Sequence, residues 1–201
     1  MNREENEMLP LMVNVKNKKC VVIGGGKIAY RKTRSLLDGE ASVTIISPII
    51  CQELQVLEIE AKITIERKNP EIADYCDAFI IIAATDSSQL NEQIASEANP
   101  GQLVNVASNH ELGNFHLPAY FNRGKLTLSV STGGASPTLA VEIKKQLMEI
   151  FDESFTEYTE YLYKKRQGIL QSNHSSTRKQ ELLRELVNED YRFLKKVAER
   201  L

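Results

Sequence analysis

Hydrophobic residues in the first half of the chain occur in short runs that alternate with longer amphipathic stretches. The runs are rich in valine and isoleucine, as strands are, and the stretches between them carry apolar residues at helical spacing. The run at 78–84 is apolar on both faces, which is typical of a central strand in a parallel sheet covered by helices. The pattern predicts an α/β fold with strands at 19–24, 42–47, 62–66, 78–84 and 102–107 and helices at 27–38, 49–60 and 87–98.

Three glycines connect the first predicted strand to the first predicted helix. Gly24, Gly26 and Ala29 occupy the marked positions of the pattern G-x-G-x-x-A, which is typical of a Rossmann-like dinucleotide-binding turn. Glycines leave no Cβ in the way of a diphosphate, and the amides at a helix N-terminus favour an anion. We predict that a dinucleotide binds through the backbone amides of Gly24, Gly26, Lys27 and Ile28. The alternative is a glycine-rich turn that binds nothing.

The pattern of the chain changes near residue 112. Ser136 followed by Pro137 gives N-cap and first-turn chemistry for a helix. The rest of the chain is rich in Tyr, Lys, Arg and Glu at helical spacing. It predicts, in order, an extended segment at 115–118, a turn at 122–124, a strand at 125–131, a helix at 137–150, and further helices from 152 onward with a break at 171–176.

These changes predict three regions along the chain. They are an N-terminal Rossmann-like domain at 1–112, a small α+β dimerisation region at 113–150 and a C-terminal helical domain at 151–201. Two alternating strands with one apolar face are too small to be stable without a partner surface. A second subunit would supply that surface, so we predict a homodimer through residues 113–150. The alternative is that these strands fold back on the sheet of their own chain.

Composition excludes several classes of partner. The chain has 201 residues, a net charge of −2 and 42% hydrophobic residues, which disfavours a general nucleic-acid binder and allows a good core. Its sequence contains no apolar run of membrane-spanning length and no apolar stretch near Met1 typical of a secretory signal, so we expect no membrane association. Cys20, Cys51 and Cys76 are scattered without metal-ligand spacing. We therefore expect reduced thiols, a cytoplasmic location and no metal site.

Two short segments in this sequence are more distinctive than the glycine turn. They are Ala-Ala-Thr-Asp at 83–86 and Gly-Gly-Ala-Ser-Pro at 133–137. Over residues 9–150 they keep their order and spacing with Leu-Pro-Leu at 9–11, the segments at 22–32 and 103–106, and Phe-His-Leu-Pro at 115–118. In these segments the chain resembles the precorrin-2 dehydrogenase / sirohydrochlorin ferrochelatase family, which includes the N-terminal half of siroheme synthase. Residues 151–201 match that family only in being helical.

The resemblance implies an activity. Members of this family oxidise the tetrapyrrole precorrin-2 to sirohydrochlorin with NAD, in siroheme or cobalamin biosynthesis, and some also insert ferrous iron. The family's Rossmann domain, dimerisation region and helical domain agree with the three regions predicted here. Two alternatives stay open: a bifunctional dehydrogenase and ferrochelatase, and a non-catalytic module that senses a dinucleotide.

Further cofactor contacts are predicted where the other strands end. The second strand lacks the usual terminal acid, and Ser47 stands there as a weaker partner for a ribose hydroxyl. No arginine adjoins Ser47 to favour a 2′-phosphate, so we predict NAD rather than NADP. Thr85 and Asp86 end the fourth strand and either contact the nucleotide or cap the next helix. Asn105 and Val106 end the fifth strand, and we place them near the nicotinamide.

The catalytic residues are harder to predict. The family carries an aspartate just after the Asn-Val strand end, and here that place falls on Ser108 or Asn109, neither of which is a good general base. Either the reaction needs little help from a base, or a nearby residue such as His110, Glu111 or His116 substitutes, or the chain is a weakly active variant. Loss of the carboxylate also removes a ligand for Fe²⁺, so we predict a dehydrogenase without chelatase activity.

Two other positions are candidates for the catalytic site. His116 lies in a matched segment and either faces the substrate or has a structural role. Ser131, with Thr132, precedes two glycines at a helix N-terminus, where backbone amides suit a substrate carboxylate. The alternative for Ser131 is a hairpin end followed by a helix cap.

Overall fold

The computed structural model describes residues 8–189, and its contacts divide the chain into two compact units, one up to Leu117 and one from Pro118. The first unit contains β1 (Lys19–Ile23), α1 (Lys27–Asp38), β2 (Ser42–Ile46), α2 (Gln52–Ile59), β3 (Thr64–Glu66), α3 (Ile72–Tyr75), β4 (Ile80–Ala83), α4 (Ser88–Glu97) and β5 (Leu103–Val106), followed by a 3-10 turn at His110–Leu112. The second contains β6 (Ala119–Arg123), β7 (Leu126–Val130), α5 (Pro137–Ile150), α6 (Ser154–Gln171) and α7 (Ser176–Glu189).

A five-stranded parallel sheet forms the centre of the first unit, with strand order β3-β2-β1-β4-β5. The order reverses between β1 and β4, so their carboxyl ends form the crevice where ligands bind in such sheets. Val22 of β1 is aligned with Ile45 of β2 and with Ile82 of β4. All three side chains are fully buried, which confirms the prediction of a hydrophobic central sheet.

Helices cover both faces of this sheet. Along β1, Val22 packs in one core cluster with Leu36 of α1 and Leu54 of α2, whereas Val21 packs in a second cluster with Ile94 of α4. Successive residues of a strand point to opposite faces, so both faces must be apolar when both are covered. This arrangement explains the continuous apolar runs in the sequence and confirms the predicted α/β fold class.

Some predicted boundaries were wrong. The helix expected at 49–60 begins only at Gln52, because the Cys51 amide donates instead to the Gly25 carbonyl at 2.7 Å and holds the preceding loop against the glycine turn. The sequence pattern also missed α3 and the 3-10 turn, which are too short to show helical periodicity.

The second unit begins with an antiparallel hairpin. Its strands pair Phe121 with Leu128, and the two-residue loop between them includes Gly124 at a φ of +57°. The first strand is Ala119–Arg123 rather than the segment predicted at 115–118. That segment is held elsewhere, because the Phe115 amide donates to the Val104 carbonyl at 3.4 Å and Pro118 has no amide to donate.

Three helices complete the second unit as the sequence predicts. The Ser136 hydroxyl accepts from the Leu139 amide at 3.2 Å and caps α5, which starts at Pro137. Helices α6 and α7 are separated at 172–175, within the predicted break. The Arg123 guanidinium donates through Nε to the Phe151 carbonyl at 3.1 Å, which ties the hairpin to the end of α5.

The predicted division into 1–112, 113–150 and 151–201 stays a prediction. The part of the helical prediction at 190–201 lies outside the described residues, as do residues 1–7. Within residues 8–189, every helix is too short or too polar to cross a bilayer.

Candidate nucleotide-binding site

A cavity of about 610 Å³ opens at the carboxyl ends of the parallel strands in the first unit. Loops after all five strands contribute to its wall, as expected for a ligand crevice at a topological switch point. It is lined by Ile23–Ile28, Ile46–Cys51, Asn69, Pro70, Ala84–Ser87, Leu90, Ala107 and Ser108.

Two of the three glycines are required by the packing of the protein itself. A Cβ on Gly24, whose φ is +121°, would lie 2.2 Å from the Ala84 carbonyl oxygen. A Cβ on Gly25 would lie 1.9 Å from the Ile49 carbonyl oxygen. Both neighbours are backbone atoms that cannot turn aside, so these glycines allow the β1 turn to pack against the loops after β4 and β2.

The third glycine leaves open space. A Cβ on Gly26 would meet no atom within 4 Å, and Gly26 lies on the cavity wall as the N-cap residue of α1. No side chain caps this helix, so the first-turn amides of Lys27 and Ile28 keep their capacity to donate to a ligand. An uncapped helix N-terminus with a glycine at its entrance fits a diphosphate group.

The loop after β2 forms the wall beside the glycines. The Ser47 hydroxyl donates to the Ile49 carbonyl at 2.8 Å and is 8% exposed, so its proton closes this turn. It can still accept a hydrogen bond from a ribose hydroxyl. Ile49 is 81% exposed, which gives this end of the cavity an apolar surface.

The loop after β3 also reaches the cavity, through Asn69 and Pro70, which sequence reasoning missed. It is held by an ion pair between Lys68 and Asp74 of α3, with Nζ to Oδ1 at 2.6 Å. Burial alone would raise the pKa of Asp74, but hydrogen bonds from Lys68 and from the Glu71 amide outweigh it and lower the pKa below its usual value. The charged form of Asp74 therefore stabilises this part of the wall.

The ends of β4 and β5 are joined by a buried asparagine that sequence reasoning also missed. Asn91 on α4 is 1% exposed and hydrogen bonds to both Thr85, just after β4, and Ser108, just after β5. Of the two proposed roles for Thr85 and Asp86, capping of α4 falls instead to Ser87, whose hydroxyl accepts from an amide of the first turn. Thr85 and Asp86 both line the cavity.

The structure brings eight predicted residues to the cavity and leaves the others elsewhere. The eight are Gly24, Gly26, Lys27, Ile28, Ser47, Thr85, Asp86 and Ser108. Asn105 and Val106 are buried in β5, where the Asn105 amide group donates to the Phe115 carbonyl at 3.0 Å. Asn109 caps the 3-10 turn, and the His116 Nε2 lies 3.2 Å from the His110 carbonyl oxygen.

Ser131 lies in the second unit, at the loop before α5. Its hydroxyl accepts from the Gly133 amide at 3.3 Å, and the neighbouring Thr132 hydroxyl accepts from the Ser136 amide at 3.1 Å. Gly133 and Gly134 both have positive φ values, of 58° and 87°. This local geometry matches the hairpin end and cap that the sequence allowed, and a role for Ser131 toward substrate stays a prediction.

Comparison with known proteins first shows which class of domain contains the cavity. Residues 11–119 match a family model described as NAD(P)-binding, which spans the glycine turn and every loop of the cavity. Residues 123–149 match the central part of sirohaem biosynthesis proteins, and residues 155–196 match the SirC C-terminal domain. The first unit is therefore a Rossmann-type NAD(P)-binding domain.

Relatives that cover most of the chain define the family more closely. The chain is 37% identical to a precorrin-2 dehydrogenase of Priestia megaterium over 92% of both chains, and 40% identical to one of Bacillus subtilis over 79% of this chain and 98% of that one. A solved structure of SirC, precorrin-2 dehydrogenase, is similar with a TM-score of 0.78 and 36% identity, covering 96% of this chain and 100% of the other. The chain belongs to the precorrin-2 dehydrogenase family.

Proposed function

We propose that this protein oxidises precorrin-2 to sirohydrochlorin with NAD⁺ in siroheme biosynthesis. The observation that carries the proposal is the similarity to precorrin-2 dehydrogenases over nearly the full length of both chains. The cavity agrees with the proposal, because the N-terminus of α1 has no side-chain cap and the space beside its N-cap residue, Gly26, is open. A diphosphate group fits such a place.

The reaction removes a hydride and a proton from the tetrapyrrole. Bound NAD⁺ supplies the hydride acceptor, and the products are sirohydrochlorin, NADH and H⁺. In this scheme the first-turn amides of α1 bind the diphosphate, and Thr85, Asp86 and Ser108 line the cavity at the ends of β4 and β5. These residues bind and orient the nucleotide, and the fixed backbone of the turn provides hydrogen-bond donors that need not rearrange when the nucleotide binds.

We propose that the proton passes to water rather than to a strong base at the position of the family's aspartate. Ser108 is a poor base, and its oxygen already accepts a hydrogen bond from Asn91 at 3.1 Å. Loss of the hydride extends the conjugation of the substrate and acidifies the proton that follows. Asn109, His116 and Ser131 remain candidates for contacts with the tetrapyrrole.

We also propose a cytoplasmic homodimer formed through residues 113–150. The hairpin of β6 and β7 is a sheet of only two strands, and α5 exposes Leu139 to 51% and Val141 to 42%. Two-stranded sheets and exposed apolar helix faces are stabilised by a partner surface. All three cysteines are free, in agreement with a reducing compartment.

The test of this function is turnover with purified components. The protein is mixed with NAD⁺ and precorrin-2, and NADH absorbance and the sirohydrochlorin spectrum are followed together. Equal amounts of both products are expected. Binding of NAD⁺ without turnover would favour the sensing module instead, and acceleration of Fe²⁺ insertion into sirohydrochlorin would show the bifunctional alternative.

A further inference from the structure

The Asn91 side chain uses all of its hydrogen-bonding capacity at the edge of the cavity. Its Oδ1 accepts from the Thr85 amide at 3.2 Å and from the Thr85 hydroxyl at 2.8 Å. Its Nδ2 donates to the Thr85 carbonyl and to Ser108 Oγ, both at 3.1 Å. An amide side chain has two donors and two acceptor sites, so Asn91 is fully satisfied although it is almost completely buried.

These partners fix which way the amide points. The backbone N–H of Thr85 can only donate, so the Asn91 atom beside it is the oxygen. The Thr85 carbonyl can only accept, so the atom beside it is the nitrogen. The same nitrogen faces Ser108, and it can only donate there.

This direction determines what Ser108 can do. Because Ser108 Oγ accepts from Asn91, its own hydrogen must point away from that amide. Within residues 8–189 this hydrogen has no acceptor on the protein, and Ser108 is exposed on the cavity wall. This hydrogen is therefore available for donation to a ligand in the cavity.

We propose that Asn91 is a positioning residue that directs the Ser108 hydroxyl hydrogen toward an acceptor on the nicotinamide half of the bound nucleotide. The proposal rests on the proposed function, since it takes NAD⁺ as the ligand. The diphosphate lies over the turn after β1, and the two mononucleotide halves lie to either side of the switch point. The adenosine ribose lies at the end of β2 in such folds, whereas Ser108 follows β5, on the opposite side of the turn and therefore on the side of the nicotinamide half.

The test compares Asn91→Asp, Ser108→Ala and the double variant by calorimetry with NAD⁺ and with ADP-ribose, which lacks the nicotinamide. The new carboxylate would accept from Ser108 and turn its hydrogen away from the cavity. Each single variant is expected to weaken NAD⁺ binding about three- to tenfold, the value of one neutral hydrogen bond, and to leave ADP-ribose binding unchanged. The double variant should be no weaker than either single one.

Gln102 provides a matched control. It is another buried amide, 6% exposed, at the opposite end of β5, and its Nε2 donates to the Tyr75 and Ala78 carbonyls, both at 2.7 Å. Gln102→Glu removes the same kind of donors far from the cavity, so it should lower stability without affecting NAD⁺ binding.

The outcomes separate this inference from the proposed function. Equal losses for NAD⁺ and ADP-ribose, additive losses in the double variant, or an equal effect of Gln102→Glu would each overturn the positioning role alone, provided that the wild-type protein binds NAD⁺ and turns over. A wild-type protein that binds no NAD⁺ would overturn both.

Discussion

Replacement of Gly26 by alanine tests whether the glycine turn is shaped for a ligand as well as for the packing of the protein. At Gly26 an added Cβ meets nothing within 4 Å, whereas at Gly25 it would approach the Ile49 carbonyl oxygen to 1.9 Å. Gly26 has φ −89° and ψ −172°, a conformation that alanine adopts without strain. The fold therefore tolerates a side chain at 26, and only a bound group would exclude it.

The expected effects on stability and binding differ in size. Alanine is a poorer N-cap than glycine, by about 0.5–1 kcal/mol, but it also reduces the entropy of the unfolded chain by about 0.4–1 kcal/mol. The free energy of unfolding should therefore change by less than about 1 kcal/mol. A methyl group at the entrance of α1 would displace the diphosphate from the amides of Lys27 and Ile28. Each hydrogen bond to a charged group contributes about 1.5–3 kcal/mol, so the loss of one predicts a ten- to hundredfold higher Kd for NAD⁺.

The Kd for NAD⁺ is measured by calorimetry, and the free energy of unfolding is measured separately by urea unfolding. Gly25→Ala is the matched control, because its Cβ must push backbone atoms apart and should destabilise the protein by about 1–3 kcal/mol or more. Unchanged NAD⁺ affinity in Gly26→Ala would refute the placement of the diphosphate over this turn. A loss of stability as large as that of Gly25→Ala would show that the turn at 26 serves packing alone.

Three further predictions concern stability and assembly. Ser136→Ala removes the cap of α5 and should lower the free energy of unfolding by about 1 kcal/mol in urea, with Ser88→Ala, which caps nothing, as control. Asp74→Asn should destabilise by about 1–2 kcal/mol at pH 7, because the pKa of Asp74 is lowered in the folded state. That difference should disappear as the pH falls below about 4, and a constant difference would contradict the assignment to charge. Leu139→Glu should convert the proposed dimer to monomer in sedimentation, and an unchanged mass would place the interface elsewhere.

Much of the fold was predictable because its signals are local. A strand covered on both faces must be apolar throughout, so the run around Ile81 marks a central strand without any knowledge of its neighbours. A hydroxyl followed by proline marks a helix start, as at Ser136. The hairpin at 119–130 was placed imperfectly because its first strand is fixed by distant contacts, including the bond from Phe115 to Val104 that holds the preceding segment.

The candidate site was predictable where the glycine motif marks a turn and where a residue lies just after a strand. The positions of Ser47 and Thr85 follow once a parallel sheet is assumed, because the carboxyl ends of its strands lie at the same edge of the sheet. Asn91 has no such signal, since a polar residue in a helix usually faces solvent and its burial here depends also on the loop after β5, 17 residues away. Asn69 was missed because its loop is positioned by an ion pair whose partner, Asp74, lies in a helix too short to predict.

The charges around the cavity favour NAD⁺ over NADP⁺, although the acidic residue that usually excludes a 2′-phosphate is replaced here by Ser47. Lys27 and Asp86 are the charged side chains on the described wall, and Lys27 lies at the start of α1, beside the amides proposed for the diphosphate. The two cations nearest in sequence to Asn69 are already paired, Arg67 with Glu58 at 2.6 Å and Lys68 with Asp74. A diphosphate can be neutralised by helix amides, but an additional 2′-phosphate at the end of β2 needs a free cation beside it. NADP⁺ is therefore disfavoured because its 2′-phosphate finds no cation near Ser47, and not because a negative charge repels it. The preference for NAD⁺ should be weaker than a carboxylate in place of Ser47 would give.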